Sequence, residues 1–198
     1  MLKGEKLPRR FGAYMIDMLV FVLVIFLCNA LIQDSPKVAT LNLQMNAIHE
    51  LALDHQISIH SYFSEYANLT HALDKEKVMI SVINCMFIMI YFVFIPYFFE
   101  GKTLGKKLMG LKIVRKDGEL LMLNDLLIRN LIINGLGFML LSLSILYLAP
   151  SMIYFLISTF LGIFQIILVI ASAFMIIYRK DKRGVHDIFS DTLVVRDK

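Results

Sequence analysis

Apolar residues gather in three long stretches of the chain. Phe11 to Ile32 is interrupted only by Asp17, Cys28 and Asn29, and Val78 to Phe99 only by Ser81 and Asn84. At about 1.5 Å per residue, each can cross a hydrocarbon layer of roughly 30 Å. Leu126 to Tyr178 is far longer than one helix needs, and Leu-Ala-Pro-Ser at 148–151 is the natural place to turn. The pattern predicts four membrane helices, at 11–32, 78–99, 126–148 and 152–178, in a single domain of residues 1–198. A cleavable signal peptide is disfavoured, because no small-x-small site follows the first run and an Asp lies within it.

The polar segments carry their own periodicities. In 33–77, Leu41, Met45, Ile48 and Ala52, then Ile59, Tyr62, Phe63, Tyr66 and Leu69, recur at helical spacing. They predict one or two amphipathic helices lying over the bundle or the outer leaflet, with His55 to Ser61 ambiguous with a short strand. In 100–125, Leu111 to Met122 contains Asp117-Gly118, the dipeptide a type I′ turn prefers, and reads as a β-hairpin. Asn124 and Asp125 then read as an N-cap and a first-turn acid for the third span. Thr192 to Val195 is a β-branched run that would add a third strand, and Gly184 permits the bend that returns the tail to the bundle. The expected fold is an all-α membrane protein of four spans, with a small cytoplasmic three-stranded sheet and an outer helical loop.

Basic residues set the orientation. Four lie before the first span, six in Gly101 to Asp125 and six from Arg179 onward, against three across 33–77 and none in the Pro150 turn. Basic residues near short loops are retained in the cytoplasm, so both termini, the 100–125 loop and the 179–198 tail are expected inside and the 33–77 loop outside.

Composition agrees: 58% hydrophobic, 18% charged and a mean hydropathy of +0.70 exclude an ordinary soluble enzyme and a disordered chain. The net charge of +4 and pI near 9.0 follow from retained basic residues rather than from nucleic-acid binding. Cys28 and Cys85 both lie in apolar stretches and build neither a disulfide framework nor a zinc site.

Charge inside a span is the first candidate for chemistry. Arg10 and Asp17 are seven apart, on one face of the first helix, with Asp17 about 10 Å deeper. A carboxylate in a membrane costs roughly 2.5 to 3.5 kcal/mol on insertion scales and faces a partner or a hydrated cavity. Arg129, one turn inside the third span, is the expected partner, either as a purely structural pair or as a proton or cation site. Asn130 and Asn134 extend that polar stripe toward a hydrated vestibule.

These residues resemble a family. Arg10-Phe-Gly-Ala-Tyr-Met-Ile-Asp17, Gly101-Lys-Thr-Leu-Gly-Lys-Lys-Leu-Met-Gly-Leu-Lys-Ile-Val114, Arg129-Asn130, and Arg183-Gly-Val-His-Asp-Ile-Phe-Ser-Asp-Thr-Leu-Val-Val195 resemble the RDD family of bacterial membrane proteins. By motif position, its Arg and two Asp fall on Arg10, Asp17 and Asp187. The tail departs from the family pattern at Asp191, where a Gly often stands, which weighs against a tight turn there. The resemblance implies a bacterial cytoplasmic-membrane protein, with transport and cation/proton exchange among the family's suggested roles.

Other signals are weaker. Gly101-Lys-Thr-Leu-Gly-Lys-Lys lacks P-loop spacing, so its glycines are expected to let an interfacial helix approach the bundle while Lys102, Lys106 and Lys107 face anionic headgroups. His49, His55, His60 and His71 lack metal-ligand spacing, and no metal or cofactor is expected. His186-Asp187 has no nucleophile nearby, and Asp187 is expected to anchor the tail by pairing with Arg10. The chain is read as a non-enzymatic transporter whose partners are the bilayer, inorganic cations or protons, and further copies of itself. The rival reading is a non-transporting interaction, immunity or accessory protein that binds through its outer loop.

Overall fold

The computed structural model describes residues 4–32 and 35–197. Lys3, Gln33 and Lys198, placed by sequence in the basic N-terminal segment, the outer loop and the tail, lie outside them. The fold is mostly helical, with three helices long and apolar enough to cross a membrane, or up to four if a bent pair is counted as one span.

Helix α1 spans Leu7–Leu31, with Pro8 in its first turn, where a missing N–H leaves nothing unsatisfied. Its outward face carries Leu19 and Phe26, about 70% exposed, as expected of a lipid-facing surface. The second apolar run forms α4, Val78–Met89, a π-helical turn at Ile90–Phe94, and α5, Ile95–Phe98. Pro96 explains the interruption. It has no N–H to offer the Phe92 carbonyl, Ile95 N–H reaches back five residues to Ile90, and Asn130 Nδ2 donates to Phe92 O at 2.8 Å instead.

Between these spans stand α2, Pro36–Leu53, and α3, Ile59–Glu76, each capped by a serine hydroxyl, Ser35 on Val38 N and Ser58 on Ser61 N. The ambiguous 55–61 stretch is thus a turn and a cap, with no strand. The two helices close on His49, Tyr62 and Tyr66, whose rings stack or tilt at 5.7–5.8 Å, and α3 is tied to the bundle by His71 on Leu146 O (2.7 Å) and Tyr154 on Asp74 (2.8 Å).

The third expected span is not one straight rod. It forms α7, Leu123–Ile133, and α8, Leu136–Ile145, which meet at an angle of 75°. Gly135 lies between them at φ +68°, a conformation that ends a helix and that glycine adopts without steric penalty. Gln165 Nε2, from α9 (Ser151–Tyr178), donates to Ile132 O at 2.6 Å and so satisfies a carbonyl freed by the break. The start of α7 also differs from expectation: it begins at Leu123, and Asp125, not Asn124, completes the cap by accepting Met122 N–H at 2.9 Å.

The expected hairpin is replaced by a strand pair of distant parts. Helix α6, Leu104–Leu108, leads into β1, Leu111–Arg115, which pairs antiparallel with β2, Thr192–Arg196, from Leu111 opposite Arg196 to Arg115 opposite Thr192. Residues 119–122 form no strand, and among the described residues the sheet has two strands, not three. Asp117 accepts the Glu119 N–H at 3.0 Å and pairs with Arg115, making a local side-chain turn that directs the chain into α7. On the far side of β2, Glu5 N–H donates to Val194 O at 2.8 Å, so the residues before α1 cover that edge. Ala13, Val93, Leu111, Ile113, Leu126 and Val194 form one buried core where helices and sheet meet, which locks the tail to the bundle.

Helix α10, Val185–Phe189, joins α9 to β2. The turn falls at Lys182 (φ +56°) rather than at Gly184, whose φ is an ordinary −83°. Gly184 is needed for closeness: a Cβ there would stand 2.3 Å from Ser172 Oγ. Asp191 adopts φ +51°, so the tight turn before β2 is made despite the missing glycine; Asp tolerates this region, and its carboxylate takes Arg183 at 3.0 Å.

Candidate functional site

Two buried carboxylates organise the interior, each within its own cage. Asp187 sits in the first turn of α10, where its carboxylate accepts the Gly184 N–H at 2.9 Å. Arg10 of α1 and Arg129 of α7 both form close ion pairs with it. Arg10 also donates to Lys182 O at 2.8 Å, and Arg129 to Thr192 Oγ1 at 3.1 Å. Arg183 wraps the outside, bonding Thr192 O at 3.1 Å and Asp187 O at 2.8 Å. One carboxylate thereby joins the N-terminal helix, the bent helix and the tail. Burial opposes the ionisation of Asp187, but Arg129, Arg10 and the Gly184 N–H outweigh it and hold the carboxyl well below the usual carboxylate range.

His186 completes this cage as a neutral ring. Burial pushes it down to about 3, reinforced by Arg129, Arg10 and Lys106 against the pull of Asp187. Arg10 Nη2 lies 3.3 Å from His186 Nε2 and can only donate, so Nε2 is the acceptor, Nδ1 carries the proton, and Nδ1 donates to Ser172 Oγ at 2.6 Å.

Asp17, fully buried in α1, belongs to the second cage. Its Oδ1 accepts Tyr91 Oη at 2.8 Å and Gly105 N–H at 2.7 Å; its Oδ2 accepts Thr103 Oγ1 at 2.6 Å and lies 3.4 Å from Lys106 Nζ. The expected Asp17–Arg129 partnership is therefore corrected: Asp17 takes Lys106, and Arg129 takes Asp187. Packing of α6 on α1 is the physical cause. A Cβ on Gly105 would stand 2.2 Å from Ala13 O, so only glycine lets α6 come close enough to deliver its amide, Thr103 and Lys106 to the carboxylate. Burial lowers the Lys106 ammonium to about 8, even with Asp17 pulling it upward.

The three lysines expected at headgroups also separate. Lys106 is drawn inward, and Lys102 pairs with Asp197 at 2.6 Å and Glu100 at 3.5 Å. Lys107 stays exposed at the surface. Asn130 and Asn134 line the cavity beside Arg129, and both also make local bonds. Asn130 Nδ2 holds Phe92 O and Leu126 O, and Asn134 Nδ2 donates to Asn130 Oδ1 at 2.5 Å. Among the described residues no three His, Cys, Asp or Glu side chains converge as metal ligands.

Sequence reasoning missed Tyr91, Thr103, Ser172, Thr192 and the inward role of Lys106. The spacing of Thr103 and Lys106 in the Gly101–Lys107 motif was the available signal, since residues three apart share a face at a helix start. Arg10, Lys106, Arg129 and His186 also border a cavity of about 200 Å³.

The RDD family pattern matches residues 6–191. A relative from Bacillus subtilis (strain 168), the uncharacterized protein YckC, is 29% identical over 121 residues, covering 61% of this chain and 61% of its own length. The chain thus spans under two thirds of that relative. No solved structure matches.

Proposed function

The chain belongs to the RDD family, and from that footing we propose that it is a multi-pass protein of the bacterial cytoplasmic membrane that exchanges an inorganic cation for a proton. One observation carries this reading: the buried Asp17 carboxylate has as its ion-pair partner, among the described residues, a lysine rather than an arginine. A guanidinium keeps its proton at any physiological pH, whereas a buried ammonium gives it up. When Lys106 Nζ releases its proton, a small cation can take the place of the ammonium beside the Asp17 carboxyl group. Asp17 Oδ1 and Oδ2, Thr103 Oγ1 and Tyr91 Oη supply the oxygen ligands that hard cations prefer. One proton leaves for each monovalent cation bound, so the site's charge is conserved. Asp187, clamped by two guanidiniums, is assigned a structural role.

In this reading the bent α7–α8 pair serves as the third of four spans. Both termini, the 100–125 segment and the tail lie in the cytoplasm, where sixteen of the basic residues gather, and α2 and α3 lie outside. Four helices enclose little space for a pathway, so a homo-oligomer is the working unit, without cofactor or enzymatic activity.

Purified protein in proteoliposomes containing a pH-sensitive dye tests the exchange. A pulse of Na⁺, K⁺ or Li⁺ should move protons in the parent, faster as pH rises through about 8, where Lys106 loses its proton. Asp17→Asn and Lys106→Met should abolish the signal, and Lys106→Arg should bind no cation. Parent-level exchange by a folded Asp17→Asn protein would refute the mechanism. A second reading is favoured by the outer helices, where Leu53 and Ile59 are 78% exposed outside any span. It makes α2–α3 the docking face of an accessory or immunity protein. Loss of function on deleting 36–76, with no exchange by the parent, would support it.

A further inference from the structure

The cavity between α1 and α9 has walls and floor of opposite character. Its walls include Leu7 and Phe11 of α1, Ile133 of α7, and Val169, Ala173 and Ile176 of α9. Its floor carries Arg10, Lys106 and Arg129, and no carboxylate is among the described residues that line it. The carboxylates that balance these cations, Asp17 and Asp187, are fully buried, pair with them, and are not among the lining residues. Three cations against two carboxylates, with His186 neutral, leave one positive charge facing an apolar chamber.

Hydrogen-bonding capacity is left over in the same place. Arg129 makes both its bonds through Nη1, leaving Nη2 and Nε with no partner among the described residues. Asn134 Oδ1 is buried without a donor. An unbalanced cation with free donors is costly in an apolar surrounding, and an anion there relieves it. Apolar cavities of roughly 150 Å³ accept a benzene-sized guest, so this one holds more than a bare ion. A hydrated inorganic anion gains nothing from the apolar walls, whereas an alkyl chain does. Phe11 lines the cavity and is 58% exposed, on the same outward face of α1 as Met15 and Leu19.

We propose that this cavity binds the anionic headgroup of a membrane amphiphile, entering between α1 and α9, with the headgroup on Arg129 and Lys106 and the start of its acyl chain along Val169, Ala173 and Phe11. A hydroxyl of the headgroup would supply the donor that Asn134 Oδ1 lacks. The bound lipid bridges α1 and α9 beside the tail cage and makes the assembly dependent on the charge of the surrounding leaflet. This site shares Lys106 with the cation exchange proposed at Asp17, but it does not require the Asp17 carboxylate, which is absent from the cavity lining.

Thermal melting of the full chain in neutral detergent tests it, with dioleoylphosphatidylglycerol, dioleoylphosphatidylcholine or inorganic phosphate added. The anionic lipid should raise Tm by about 5–10 °C at a hundred times its Kd, and the other two should not. Ala173→Phe fills the apolar side of the chamber and removes no ion-pair partner, and should fold but lose the shift. Native mass spectrometry of the parent should show one phosphatidylglycerol retained per chain and no phosphatidylcholine, a readout that holds even if Ala173→Phe fails to fold. Asp17→Asn should keep the shift, which separates this proposal from cation exchange. Equal shifts with phosphatidylcholine, equal shifts with phosphate alone, or a full shift in folded Ala173→Phe would each overturn it.

Discussion

Replacing Asp187 by Asn removes the carboxylate that Arg10 and Arg129 share, while keeping the size of the side chain. The amide oxygen can still accept the Gly184 N–H, but the new amide group presents hydrogens to guanidiniums that can only donate. Removing one partner of a buried ion pair costs about 3–5 kcal/mol, because the other charge is left uncompensated. Two guanidiniums are orphaned together here, so the loss should reach at least about 5 kcal/mol, a large share of a typical folded-state stability. For a chain of this size, that lowers Tm by roughly 10–20 °C. The damage should begin at the tail, since Asp187 is what joins α10 to α1 and α7. Trypsin cleavage at Lys180 and Lys182, followed by mass spectrometry in detergent, should therefore appear in Asp187→Asn well below the melting temperature and be absent from the parent. An Asp187→Asn protein that melts within about 2 °C of the parent and resists tail cleavage would refute the structural role, and both arginines would then be candidates for ion handling.

Acid should act on the same cage through His186. Its folded value, near 3, lies below the usual unfolded value of about 6.5, so the unfolded chain binds more protons as pH falls from 6.5 toward 3, and stability drops across that window. His186→Asn should flatten the Tm-versus-pH curve there; an unchanged slope would assign the acid sensitivity elsewhere. The depressed Asp187 carboxyl works in the same direction at lower pH: its contribution is complete above about 3.9 and fades below, toward its folded value. Gly105→Ala should push α6 off α1, costing about 1–3 kcal/mol or more, and abolish cation exchange, read by melting and flux together. Parent-like flux would show that Asp17 does not need this contact. Asn130→Leu strands the Phe92 carbonyl freed by Pro96, and should lower stability by about 1–3 kcal/mol, measured by denaturant or thermal unfolding in detergent.

Local pattern determined much of this protein. The lengths of the apolar runs mark α1, the Val78–Phe98 span and α9 within a few residues, because burial in lipid demands length and apolarity alone. Helical spacing in 36–76 foretells helix there, one element or two, and the β-branched tail run foretells β2. The Arg10–Asp187 pair is also legible, since pairing neutralises a charge at the membrane interface and anchors the tail, whereas the burial of Asp187 is not. Tertiary structure decided the rest. Whether Asp17 takes Arg129 or Lys106 depends on how closely α6 approaches α1, and that distance is set by the missing Cβ of Gly105, which spacing does not encode. The 75° break falls at Asn134-Gly135, a turn dipeptide that the length and hydropathy of the surrounding apolar run override, and it survives because Gln165, thirty residues later in the chain, satisfies the freed carbonyl. Likewise, β1 pairs with β2 rather than with the residues just after its turn, because the Asp117 side chain takes the amide that a hairpin would have used. Composition and periodicity are sums over neighbours in sequence, whereas the partner of a buried charge or an unpaired carbonyl is whichever group packing brings within about 3 Å, at any distance along the chain.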